Sequence, residues 1–214
     1  MKLDMTMMIT FHDALRRDLE RLARLTARTG DDPRHLLRSA AGWEMFKRYL
    51  HIHHSTEDAF LWPVMQAALA GRSAELALLA AMEDEHAAID PLLAAVDAAL
   101  ADRDSGHERL GDLVDALGTV LTGHLKHEES ETLALIDVTL TEEQWRRFGK
   151  EHSARVGDDA PRFLPWVLDG ASPATTAAVL TPFPEPIRAA YQGEWLPAYE
   201  RAGVWPAAQP GRRE

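Results

Sequence analysis

Two side chains one helical turn apart, His53 and Glu57, lie in a stretch of sequence that is otherwise built for a helix core. Trp43, Phe46, Leu50, Phe60 and Val64 carry the same three-four spacing on either side of them, so a helix here turns both polar groups towards an apolar interior. An imidazole and a carboxylate buried without partners cost on the order of several kcal/mol. A metal ion would satisfy both at once. Three more histidines sit on apolar seams of the same kind. His12 follows Met8 and precedes Leu15, Leu19 and Leu22, and His86 lies among Leu79, Met82, Ile89, Leu93, Val96 and Leu100. His124 lies with Leu117, Leu121 and Leu135, and Glu128 follows it at the spacing at which Glu57 follows His53. His12 and His53 are 41 residues apart and His86 and His124 are 38 apart, so the chain reads as two pseudo-equivalent helical hairpins. Two halves, each with a His on one helix and a His plus a Glu on the next, suit a pair of metal ions. Bridging carboxylates offset the repulsion between two adjacent cations, which neutral imidazoles do not.

The elements that must position these groups are four amphipathic helices. The periodicity predicts them over about 10–27, 33–69, 73–101 and 107–138. Gly30 suits a C-terminal cap, Asp32 an N-cap and Pro33 a first helical position, while Ala70-Gly71 and Asp102–Gly106 supply the other turns. Short turns between such helices give an all-α, up-down-up-down four-helix bundle over residues 1–140. Residues 141–214 read as a C-terminal helical, Pro-rich extension. Thr141-Glu142-Glu143-Gln144 is a capping box opening a helix to about 155, and short helices are expected at 173–180 and 186–202. Trp166, Phe183, Tyr191, Trp195, Tyr199 and Trp205 equip the extension to pack on the bundle.

The composition narrows the chemistry. A formal net charge of −11 over 214 residues argues against a nucleic-acid partner and against docking on an anionic membrane surface. The absence of cysteine excludes disulfides, iron–sulfur clusters and thiolate-bound zinc, and leaves a His and carboxylate ligand set suited to non-haem iron, manganese or oxygen-rich zinc. The first ten residues carry Asp4 and lack the apolar core of a signal peptide, and no apolar run reaches transmembrane length, so the expected location is the cytoplasm.

The order His, His-x-x-x-Glu, His, His-x-x-x-Glu on such a bundle resembles the hemerythrin family, in particular its bacterial HHE cation-binding branch, and the phrase from His53 to Pro63 is similar to that family's signature. The resemblance covers about residues 10–138. It implies a non-haem diiron centre, oxo- or hydroxo-bridged, that handles dioxygen, peroxide or nitric oxide, with manganese or zinc as the alternative metals. His12, His53, Glu57, His86, His124 and Glu128 match its ligand positions one by one. Where the oxygen carriers of the family have a second His four residues after the third-helix His, this chain has Asp90. Asp90 is therefore expected as a further ligand and as the catalytic residue that tunes one iron towards oxidation. Pro91 and Pro63 each free a carbonyl one turn away and are expected to open room for a substrate.

His51, His54 and His127 fall off the seams and are expected in solvent or behind the ligands, with His54 and His127 bordering the site. Trp43 and Trp62 are expected as its walls, and His35, His107 and His152 at the surface. These expectations converge on a diiron oxidoreductase that consumes peroxide or oxidises a small organic molecule by two electrons. The competing class is a non-catalytic protein that binds dioxygen or nitric oxide, senses redox state or holds iron.

Overall fold

A computed structural model describes residues 2–27, 32–34, 37 and 40–206. The helices are α1 (Thr6–Thr26), α2 (Ala41–Thr56), α3 (Trp62–Ala68), α4 (Ser73–Ala101), α5 (Gly106–His127) and α6 (Leu133–Thr139), followed by α7 (Glu142–Val156), α8 (Ala160–Leu168), α9 (Pro173–Leu180), α10 (Glu185–Ala190) and α11 (Leu196–Ala202). No strand occurs among the described residues. The rods α1, α2–α3, α4 and α5–α6 make the all-α bundle expected from the periodicity. The expected cap at Gly30 and the side chain of His35 lie outside the described residues. Asp32 does accept a hydrogen bond from the Arg34 N–H at 3.0 Å, as an N-cap should.

Two of the four rods contain a feature that periodicity does not reveal. π-helical turns at Glu57–Leu61 and Glu128–Thr132 join α2 to α3 and α5 to α6. Each begins on the seam glutamate, whose carbonyl accepts from the N–H five residues on, Trp62 in one case and Leu133 in the other. A π turn absorbs an extra residue, which rotates everything after it by about 100° relative to an α-helix. The buried series therefore continues Glu57, Leu61, Met65, Leu69 and Glu128, Thr132, Ile136, Leu140. Phe60, Val64 and Leu135, expected to face inward, are only half-buried. Pro63 falls in the first turn of α3, where the missing N–H is tolerated, and Pro91 sits inside α4 without ending it.

The core is divided into two apolar clusters, one containing Phe11, Leu15, Ile52, Ile89, Leu121 and Leu125, the other Met8, Leu61, Trp62, Met82, Leu133 and Ile136. Between them, on every rod, lies a layer of buried polar side chains.

The extension packs over the α1–α2 side. Asp18, on α1, is fully buried. It accepts from Trp166 Nε1 at 2.8 Å, Arg17 Nε at 3.0 Å and Arg21 Nη1 at 3.1 Å, and so ties α8 to the bundle. Tyr49 donates to Asp159 at 2.9 Å and Trp145 Nε1 donates to the Asp4 carbonyl at 2.9 Å. The Thr141–Gln144 capping box forms in full and starts α7. The chain then returns to the start of α2, where the Gly42 N–H donates to the Val204 carbonyl at 2.8 Å. A Cβ at Gly42 would collide with the Trp205 indole, so only glycine allows this approach. No described helix is long and apolar enough to cross a membrane.

Candidate metal centre

The polar layer gathers His12 from α1, His53 and Glu57 from the second rod, His86 from α4, and His124 and Glu128 from the fourth, all of them buried. Their ligand atoms form two groups. In one, His12, His53 and Glu128 come within 4.8 Å of one another; in the other, His54, His86 and His124 do so. His12 Nε2 lies 3.2 Å from His53 Nε2 and 3.2 Å from Glu128 Oε2, and His86 Nε2 lies 3.1 Å from His124 Nε2. Glu57 reaches both groups, with one oxygen 3.5 Å from His53 Nε2 and the other 3.6 Å from His86 Nε2. Glu128 also spans them, its Oε2 being 3.9 Å from His124 Nε2.

The outer nitrogens decide what the inner ones can do. His86 Nδ1 donates to Asp58 at 2.7 Å, His124 Nδ1 to Glu85 at 2.9 Å and His12 Nδ1 to Glu129 at 2.8 Å. A carboxylate only accepts, so each of these Nδ1 atoms carries a proton, and a ring that bears no second proton turns a lone pair inward at Nε2. Two lone pairs 3.1 Å apart, at His86 and His124, repel unless something positive lies between them. Two imidazole–metal bonds of about 2.1 Å meeting near a right angle would end about 3 Å apart, which is the spacing found. All four carboxylate oxygens of Glu57 and Glu128 are buried without a hydrogen-bond partner. The 3.2 Å approach of His12 to Glu128 lacks hydrogen-bond alignment, as expected of two groups aimed at a common third point. The side chains fit cations and leave costly orphans without them.

The titration behaviour of the bare side chains points the same way. Burial, reinforced by the neighbouring Glu128 and Asp58, pushes the Glu57 carboxyl well above its ordinary range. Burial acts against the charged form of Glu128 too, but His12 outweighs it and holds that carboxyl low. Burial alone would depress His12, yet Glu128 and Glu129 lift it to about 9. Burial and the surrounding imidazoles drive His53 and His54 well down. Protonation of Glu57 and of His12 is thus favoured where cations would otherwise balance the two glutamates.

The carboxylates that hold the rings were not anticipated from the sequence. Asp58 and Glu129 each follow a seam glutamate directly, so the doublets Glu57-Asp58 and Glu128-Glu129 were a legible signal. Each doublet pairs one interior carboxylate with one that reaches the His of a neighbouring rod. Such partners fix ring orientation and raise ligand basicity. Glu129 is further anchored by Arg16 at 2.8 and 2.9 Å and is held down at about 2 by His12 and Arg16 against the effect of burial.

One difference between the two halves lies beside the ligands. Glu85, the residue before His86, holds His124 and also accepts from His127 Nδ1 at 2.7 Å. Phe11, the residue before His12, instead stacks on His53, with ring centroids 4.4 Å apart.

Several expected residues are placed differently. Asp90 is exposed and belongs to neither ligand group, because the His86 face of α4 continues through Ile89 rather than through position 90. The expectation that it binds metal or acts in catalysis is corrected. His54 is buried, stacks flat on His86 at 3.9 Å and joins the second ligand group, since it points across the bundle rather than out of it. His127 is half-buried against Glu85, and His51 and His107 are exposed. Trp62 walls the centre, 6.4 Å from the His86 ring. Trp43 does not: ten residues up the helix, about 15 Å away along the axis, it donates to Asp97 at 2.8 Å. His152, expected at the surface, packs edge-on to Phe11 and lies 6.2 Å from the His53 ring. The room expected beside Pro63 and Pro91 is found elsewhere, in a cavity of about 290 Å³ between α1, α7 and α8.

Comparison with known proteins agrees with this arrangement. Two zinc finger BRUTUS-like proteins of Arabidopsis thaliana are 25% and 23% identical to this chain. Each alignment takes in 87% of this chain, more than the bundle alone could supply, so the likeness runs on into the extension. The chain spans 16% of the length of each of those relatives. No solved structure matches. The hemerythrin HHE cation binding domain matches residues 4–136, the stretch that supplies both ligand groups, and the chain belongs to that family.

Proposed function

We propose that this chain is a non-haem diiron oxidoreductase that uses dioxygen or peroxide, either consuming peroxide or oxidising a small organic molecule by two electrons. The observation that carries the proposal is the pair of orphaned, fully buried glutamates, Glu57 and Glu128, each spanning two clusters of inward-facing imidazoles. In this reading His12 and His53 would hold one iron and His86 and His124 the other with His54 beside them, and Glu57 and Glu128 would supply negative charge to both. Iron so bound supplies one-electron steps in pairs towards an oxygen species. The protein's own part is positioning. Asp58, Glu85 and Glu129 keep the rings in one tautomer and one orientation, Trp62 closes one wall, and the extension builds an apolar cavity on the His53 side.

A second reading, a binding or sensing module for iron, dioxygen or nitric oxide, is favoured by one observation: the relatives are about six times longer, so the corresponding region there is one part of a larger protein. Asp90 no longer argues between the two readings, being exposed.

Anaerobic reconstitution followed by iron analysis and exposure to dioxygen tests the proposal. About two irons per chain, near-ultraviolet absorption and rapid irreversible oxidation with turnover of peroxide or an added reductant are expected. A colourless protein that prefers zinc, or a long-lived reversible oxygenated form, would overturn it.

A further inference from the structure

The cavity between α1, α7 and α8 is shaped for a ligand, and its floor is the His53 ring. Its lining is largely aromatic: Phe11, Phe148, Phe163 and Phe183 face it together with His53 and His152. A volume of about 290 Å³ lies at the small end of organic-ligand sites, which run from ~300 Å³ upward. Filled with water it would hold about ten molecules at ~30 Å³ each, most of them against carbon, which is the arrangement an apolar ligand displaces favourably.

Charge narrows the ligand further. No Lys or Arg lines the cavity. The carboxylate in the lining is Asp4, at the exposed rim, where it accepts from the Thr6 N–H at 2.9 Å. An anionic ligand would find no counter-charge here, and an ammonium group would have to shed its water against phenyl rings.

The asymmetry of the centre says why the cavity lies on this side. On the other half, Glu85 seals His124 with an ionic hydrogen bond. On this half its counterpart is Phe11, which stacks on His53, and both rings belong to residues that line the cavity while His12 does not. We propose that this cavity binds a compact, uncharged aromatic molecule of one or two rings and presents it to the His53 half of the centre. That the molecule is the one oxidised rests on the diiron reading above; that the cavity takes it does not.

Gly149 allows the two to be tested apart. It lines the cavity at its exposed rim, and a Cβ there meets nothing within 4 Å, so a larger side chain narrows the entrance without a clash. It also lies inside α7, where replacing glycine favours the helix. The experiment titrates 1-naphthol, 1-naphthoate and 1-naphthylmethylammonium into chelator-treated and iron-loaded protein, followed by tryptophan fluorescence and saturation-transfer NMR. One naphthol per chain is expected in both forms, with the two charged analogues at least tenfold weaker. Gly149→Leu is expected to weaken naphthol binding at least tenfold while keeping the wild-type helicity and iron content. Equal or tighter binding of a charged analogue, or wild-type naphthol affinity in Gly149→Leu, overturns the proposal. Naphthol binding by a chain that takes up no iron would sink the diiron reading and leave the cavity assignment standing.

Discussion

Replacing Glu57 by leucine should make the metal-free protein more stable and the metal-loaded protein less so. Glu57 is fully buried, both its oxygens lack partners, and burial together with Glu128 already opposes its ionisation. A buried polar group left unsatisfied costs about 1–3 kcal/mol, and a leucine of similar size removes that cost. For a chain of this length each kcal/mol moves the melting temperature by about 2–4 °C, so the chelator-treated variant should melt about 2–12 °C above wild type. The order should invert on adding ferrous iron. At a free metal concentration 100 times the dissociation constant, wild type gains about 2.7 kcal/mol, whereas the variant lacks the carboxylate that spans both clusters and gains little. Circular dichroism melts under anaerobic conditions, with chelator and then with iron, give all four numbers. The reasoning fails if the metal-free variant melts below wild type, or if iron raises both proteins equally.

Neutralising any one of the ring-holding carboxylates, by Asp58→Asn, Glu85→Gln or Glu129→Gln, should weaken metal binding about 10–100-fold in a chelator competition, whereas Asp90→Asn should leave it unchanged. Asp18→Ala strands Trp166 Nε1 and takes one partner from each of two arginines that keep their contacts to Asp169, so it should cost about 2–3 kcal/mol in urea unfolding; a loss under 1 kcal/mol would mean that packing and the remaining arginine contacts hold the junction. His152 should make the fold acid-sensitive. Above about pH 6.5 the ring is neutral folded or unfolded. Below that the unfolded chain gains a proton that the folded one refuses until about pH 4, so stability falls across that window. The loss should reach roughly 3 kcal/mol, and His152→Phe should remove that part of the slope in urea midpoints measured from pH 7 to pH 4.

Much of this protein is legible in local pattern. The seams of α1, α4 and α5 follow from apolar spacing, the bounds of α4 and α9 coincide with those read from turn residues, and the capping box at Thr141 forms as its residue types require. The interior histidines and glutamates stood out because a polar residue on an apolar seam is an exception that one sequence can show by itself. What local pattern could not supply was anything decided by a neighbour. The π turns shifted the faces of Phe60, Val64 and Leu135, because a one-residue insertion in the hydrogen-bond ladder leaves the composition of the seam intact. Asp90 and His54 exchanged roles because each lies about one residue's rotation off its seam, and only the packing of the opposite helix decides which of two such positions is covered. Asp18 became buried and His152 half-buried where the extension folds over α1, a contact between residues more than a hundred positions apart. Sequence alone determined that His12, His53, Glu57, His86, His124 and Glu128 turn towards one interior layer, because helical periodicity is a property of near neighbours. Which carboxylates aim them, and from which side a ligand can approach His53, was decided by tertiary packing, where distant segments supply the walls.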